Sequence, residues 1–119
     1  MTLFYKMAVT VPSGGVPVIF ESPAFQTGEN AAVLVMLQGV SAVAGGMIAA
    51  QMQTSGDGEI YTPVGAPIPP VVPPAFGSLP ILASAAPYQK FMRTQLTASA
   101  GAGGGTVVFS LFVNLLPST

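Results

Sequence analysis

Residues 31–54 read AAVLVMLQGVSAVAGGMIAAQMQT, and the fold turns on whether this stretch is one helix or two strands. The part from 31 to 50 carries no charge and is as long as the roughly 20 residues a membrane-spanning helix requires. Gln38, Ser41, Gly39, Gly45 and Gly46 interrupt it, and the nearest charges, Glu29 and Asp57, are acidic where a span favours Lys or Arg anchors. Two strands use the residues better: Ala31–Val43, a tight turn at Ala44-Gly45-Gly46, and a returning strand Met47–Thr54, together a hairpin. In the returning strand Ile48, Ala50 and Met52 share one face and Gln51 and Gln53 the other, a period of two rather than 3.6. A small membrane protein spanning at 31–50 stays as an alternative that a strong helical dichroism signal would reveal.

The same alternation continues outward from this stretch. Downstream, QTSGDGEIYT (53–62) places Asp57-Gly58 between two β segments, a leading hairpin signal. Asp57 and Glu59 could also offer oxygens to calcium, but two carboxylates fall short of the six to eight oxygens such a site commonly takes. The turn is the preferred reading. Residues 63–80, PVGAPIPPVVPPAFGSLP, hold seven of the twelve prolines and no charge. Proline removes ladder donors and fixes φ, so this segment is expected to be a long loop or an extended arm rather than a helix or a central strand. YQKFMRTQLTAS (88–99), the glycine turn at 100–105 and TVVFSLFVNLL (106–116) read as strand, connection, strand. In the last, Val107, Phe109, Leu111, Val113 and Leu115 line a core face, while Val108 and Phe112 put apolar groups on the face that would otherwise be wetted. Upstream, LFYKMAVTV and VPVIFES are β segments split by the turn PSGG. The expectation is an all-β fold, an antiparallel β-sandwich of jelly-roll type with a long proline-rich loop, in one domain over 1–119 whose first 30 residues form an N-terminal strand or arm region.

Composition narrows the chemistry. Charged residues are 6% of the 119 and apolar ones 50%, against roughly 25% charge in ordinary soluble proteins. A membrane span, a low-charge β-protein rich in Ser, Thr, Gln and Gly, or a surface covered by neighbouring subunits each fits that shortage, and the last is favoured. There is no cysteine and no histidine, so the common nucleophile and base pairs are missing and an enzyme is not expected. Glu21, Glu29, Asp57 and Glu59 are the only acids available for paired-carboxylate work, and nothing beside any of them suggests a raised pKa. The glycine runs lack the Lys and Ser or Thr of a phosphate-binding loop. Lys6, Lys90 and Arg93 are scattered and the net charge is −1, so direct nucleic-acid binding is not expected. Lys90 and Arg93 flank Phe91, which reads as a strand exposing alternate side chains before it reads as a stacking site. No cofactor and no metal is implied, and the start of the chain shows no export signal.

Ser55, Asp57, Gly58, Tyr61, Pro63 and Val64, followed by Tyr88, Phe91, Arg93, Leu96, Gly105, Thr106, Val107 and Phe109, form a pattern across residues 31–115. It resembles the small β-sandwich accessory structural proteins of tailed-bacteriophage virions, the head decoration proteins and related neck or tail components. In those modules the strand that bears the Tyr and Arg pairs with the Gly-Thr-Val strand, and tryptophan is common where Tyr61 stands. The resemblance implies a non-enzymatic virion subunit that oligomerises and packs on or between capsid or tail proteins. Candidate interface residues are Val108, Phe112, Pro67, Pro70, Pro73, Phe76, Phe4 and Tyr5, with the N-terminal strand and 63–80 as candidate arms. The alternative is a carbohydrate-binding or adhesin module that stacks sugars on Tyr61, Tyr88 and Phe91.

Overall fold

The computed structural model of the protein describes residues 1–27, 30–82 and 89–117; Glu29 and Tyr88 lie outside the described residues. The strands in chain order are β1 (Thr2–Val11), β2 (Val18–Glu21), β3 (Phe25–Gln26), β4 (Asn30–Val43), β5 (Met47–Ser55), β6 (Thr62–Pro63), β7 (Ile68–Val71), β8 (Ala75–Leu82), β9 (Phe91–Ser99) and β10 (Gly105–Pro117). Two antiparallel sheets face each other. One runs β1-β10-β4-β8; the other runs β2-β9-β5-β6, with β3 beside β2 along β9 and β7 beside β6 along β5. Successive strands change sheet at β1–β2, β3–β4, β4–β5, β7–β8, β8–β9 and β9–β10. That alternation is the jelly roll, and the expected fold class holds.

The local pairings differ from expectation. The strands on either side of Ala44-Gly45-Gly46 are not a hairpin, because β4 pairs with β10 and β8 while β5 pairs with β9, β6 and β7. Nor do β9 and β10 pair, although both strands form. A period of two states which face of a strand is buried and is silent about which strand lies beside it. Val33, Val35 and Leu37 of β4 and Ile48, Ala50 and Met52 of β5 meet across the sandwich instead of edge to edge, and all are buried. No helix of the described residues is long and apolar enough to cross a membrane, and the stretch 31–50 is strand and turn.

Both segments read as candidate arms are laid on the chain's own sheets. β1 is the edge beside β10, and β2 and β3 border β9. The proline-rich segment crosses from one sheet to the other: β7 borders β5 and β8 borders β4. Val64, Ile68 and Val71 are buried and tie it down, while Pro69 and Pro70 occupy an edge strand where a missing N–H costs no ladder bond.

The core centres on Phe109, which meets Phe4 at 5.6 Å and Phe20 at 5.9 Å between ring centroids. Around it Leu37, Ile48, Met92, Leu96, Leu111 and the valines at 33, 35, 107 and 113 are sealed from solvent. Truncating such a phenylalanine costs about 3–5 kcal/mol. Where Pro23 separates β2 from β3, Ser22 fills the gap: its amide donates to the Thr94 carbonyl (2.8 Å) and the Thr94 amide donates to its hydroxyl (2.9 Å). At the crossing of the sheets, Gly104 has a φ of +80°, and a Cβ there would stand 2.7 Å from the Val11 carbonyl oxygen. The glycine turn is a close approach of backbones as well as a connection.

Candidate functional site

With both inner faces committed to the core, the outer faces are what the molecule presents. On the β9 sheet the outward side chains form two rows in register: Phe91, Arg93, Gln95, Thr97 and Ser99 of β9 opposite Ser55, Gln53, Gln51, Ala49 and Met47 of β5. Arg93 is the fixed point of this surface. Its Nε donates to Oε1 of the buried Gln53 at 2.8 Å, and its guanidinium carbon lies 4.0 Å from the centre of the Tyr61 ring. Lys90 stands 5.5 Å from the Phe91 ring centre. Glu21 is exposed opposite Gln95 on the neighbouring strand.

Tyr61 reaches Arg93 because the loop from β5 to β6 is tied by its own polar groups. The Ser55 hydroxyl donates to Asp57 Oδ1 (2.8 Å) and accepts from the Gly58 amide (2.9 Å); the same Oδ1 accepts from the amides of Glu59 (2.9 Å) and Ile60 (3.1 Å). These bonds favour the carboxylate, and they hold the Asp57 pKa at about 2, below its ordinary 3.8, with the Glu59 and Ile60 amides as the leading causes. Asp57 is thus a turn residue, as expected, although in a loop longer than a two-residue hairpin in which Gly58 rather than Asp57 has positive φ. Among the described residues no group of three His, Cys, Asp or Glu side chains comes together as a metal site.

The outer face of the β10 sheet is of another kind. Thr106, Val108, Ser110, Phe112 and Asn114 alternate outward along β10, with Ser41, Gln38, Met36 and Leu34 opposite them on β4. Val108, Phe112, Met36 and Leu34 are half-buried and Leu116 is 46% exposed. No charged residue occurs in β4, β8 or β10.

The structure keeps Val108 and Phe112 together on this face, as the interface reading requires. Tyr5 is 67% exposed at the edge. Phe4, read as an interface residue, is half-buried and packs on the core, against Phe20 and Phe109. The reason is a bulge: register shifts between Phe4 and Met7, where Lys6 has a φ of 46°, and one extra residue turns Phe4 inward and Tyr5 outward. Pro67 and Pro70 are exposed beside β5, away from Val108 and Phe112, and Pro73 lies over Gly39. Phe76 is paired to Gln38 on β8. Of the proposed stacking residues, Tyr61 and Phe91 come to the same end of the β9 sheet and are both half-buried. The partnership of Arg93 with Gln53 and Tyr61 was missed in the sequence; the shared parity of Gln53 and Arg93 on their strands was its only signal.

No protein-family model matches the chain, and no curated protein matches it in sequence. Solved structures do share its fold. The enzymatically active domain of tailspike protein 4 from bacteriophage CBA120 superposes with a TM-score of 0.60 at 14% identity, covering 92% of this chain and 15% of that one. The N-terminal cellulose-binding domain of β-1,4-glucanase C from Cellulomonas fimi gives 0.54 at 19% identity, covering 94% of this chain and 79% of that one. A structure of infectious bursal disease virus, Gt strain, gives 0.54 at 17% identity, covering 96% of this chain and 30% of that one. The likeness is one of fold, common to viral and carbohydrate-binding β-sandwiches.

Proposed function

We propose that the protein is a non-enzymatic structural subunit of a phage virion that oligomerises and packs on or between capsid or tail subunits, stabilising the assembly. The carrying observation is the uncharged outer face of β10 and β4, where Val108, Phe112, Met36 and Leu34 are half-buried and Leu116 is exposed with no further strand of the described residues stacked over them. The two longer extents of the molecule, 48 and 26 Å, set the outer bound of such a face, which leaves room for the roughly 800 Å² per partner of a standard interface. Burial there at about 25 cal/mol per Å² supplies cohesion without any reacting group. The sheet edges favour association by face: β2 and β3 are short and broken, β6, β7 and β8 contain proline, and β1 carries the Lys6 bulge. The phage setting is supported by the residue pattern over 31–115 and by a fold shared with virus and phage proteins. The test is the mass of the chain in solution over a range of concentrations and on purified particles. A strict monomer that fails to join particles overturns the reading.

The opposite face favours a second reading, carbohydrate binding. Its observation is Arg93, held by Gln53 and Tyr61 amid glutamine, threonine and serine on an open surface. The fold shared with a cellulose-binding domain supports it. Because the two faces lie on opposite sides of the sandwich, both readings can hold in one molecule. A glycan array tests the second.

A further inference from the structure

We propose that Arg93 is the anion-recognising centre of a site for an acidic polysaccharide, pairing its guanidinium with a sugar carboxylate on the outer face of the β9 sheet. The proposal rests on the second reading, that this face binds carbohydrate, and adds the chemical class of the ligand. Of the guanidinium's donors only Nε is engaged among the described contacts, by Gln53 at 2.8 Å. The two terminal nitrogens together can take a carboxylate end-on, one oxygen to each. The plane of the fork is fixed twice, from beneath by the buried Gln53 and across its face by Tyr61 at 4.0 Å, and Tyr61 is fixed in turn by the Ser55–Asp57 loop. A fork already held in place loses little freedom when it binds, which is how a flat surface with few charges gains useful affinity.

The neighbours suit a sugar. Along β9, Phe91 and Gln95 flank Arg93 at roughly 6.6 Å to either side, two residues of extended chain, giving an aromatic ring on one side and an amide on the other. Lys90 adds a second cation at the Phe91 end. Of the nearby acids, Asp57 Oδ1 is turned into its own loop, Glu59 is exposed in that loop, and Glu21 stands opposite Gln95 on the neighbouring strand. Two cations on a chain of net charge −1 are too few for the counterion release that drives nucleic-acid binding, so a phosphate polymer is the weaker fit.

The test is affinity electrophoresis of the full chain in native gels containing polygalacturonate, its methyl-esterified form, or polyphosphate. Polygalacturonate should retard the wild type, with at least tenfold weaker retardation by the esterified polymer and by polyphosphate, and 0.5 M salt should weaken the effect. Arg93→Gln should lose at least tenfold of the binding. Arg93→Lys, which keeps the charge and lacks the fork, should fall between the two; its near-UV dichroism and melting curve show whether the fold survives where Arg93→Gln unfolds. Equal binding of the esterified polymer overturns the carboxylate assignment and leaves the carbohydrate reading standing, and equal binding of polyphosphate removes the specificity for sugar. Wild-type retention by Arg93→Lys and Arg93→Gln alike removes Arg93 from the site. If no glycan on the array and none of these polymers binds, both the assignment and the reading beneath it fall.

Discussion

The two outer faces of the sandwich are built by the same rule and end with opposite chemistry. On each, every second side chain of two central strands points away from the core. Along β10 and β4 that rule turns outward valine, phenylalanine, methionine and leucine among serine, glutamine and asparagine; along β9 and β5 it turns outward arginine, glutamine, threonine and serine, with an aromatic at one end and Ala49 and Met47 at the other. Of the charged residues among those described, Glu21, Asp57, Glu59, Lys90 and Arg93 lie on or beside the β9 sheet, and Lys6 lies on the other. The core leaves the outer residues free, and their segregation separates two chemistries: one face that is apolar and uncharged, the other that carries the charges and amides.

The largest effect is expected where that division is attacked directly. Phe112→Asp places a charge at the centre of the apolar face. It should weaken self-association at least 100-fold, about 2.7 kcal/mol, measured by sedimentation over a concentration series. Phe112 is only half-buried in the single chain, so the melting temperature should move by a few degrees at most. Arg93→Gln, on the other face, should leave association unchanged. If both variants associate alike, the two faces do not differ in function.

Next in size is a change at the crossing that keeps the sheets apart. Gly104→Ala introduces a Cβ 2.7 Å from the Val11 carbonyl oxygen on a backbone at φ +80° and should cost roughly 2–4 kcal/mol in a urea titration. Gly103→Ala, one residue earlier, meets nothing within 4 Å and should be nearly neutral. Equal costs at the two positions would mean that the turn is held by sequence-independent slack.

The contrast between these glycines also shows how far the sequence could be read. Alternation placed Ile48, Ala50 and Met52 inward, Gln51 and Gln53 outward, and Val108 and Phe112 outside, because parity along a strand is a local property. The neighbours of each strand were not legible. β4 and β10 are separated by more than 60 residues of chain, and their pairing is settled by the joint burial of Val33, Val35 and Leu37 with Val107, Phe109 and Leu111. A bulge is equally hidden: one unmarked residue near Lys6 separates Phe4, turned inward, from Tyr5, left outside, where both were read as interface residues. The site shows the same limit, since Tyr61 and Arg93 each stood out as a side chain while their contact depends on a loop path and a register.

A smaller effect should separate the stacking of Tyr61 on Arg93 from its role in the loop. A double-mutant cycle with Tyr61→Leu and Arg93→Lys should give a coupling of about 0.5–1 kcal/mol in stability. A coupling indistinguishable from zero would leave Gln53 as the sole support of the fork and blunt the contrast between a pre-set polar face and a merely polar one.

The smallest effect concerns pH. With its folded pKa held at about 2, below the ordinary 3.8, Asp57 contributes stability that is fully present above the higher value and is lost as pH falls through the lower. Asp57→Asn removes the charge and the titration together. Its melting temperature should lie below that of the wild type by a constant small margin from pH 7 to 5, and the margin should narrow between pH 4 and 2 as the wild-type carboxylate takes up its proton. Because this carboxylate faces solvent, added salt should shrink the margin as well. Lys6 and the whole β10 face are remote from this loop, so association through that face should show no matching change over the same range. Parallel melting curves for the two proteins down to pH 2 would mean that the bonds from Glu59 and Ile60 do not hold the loop, and Tyr61 would then need another reason to rest on Arg93.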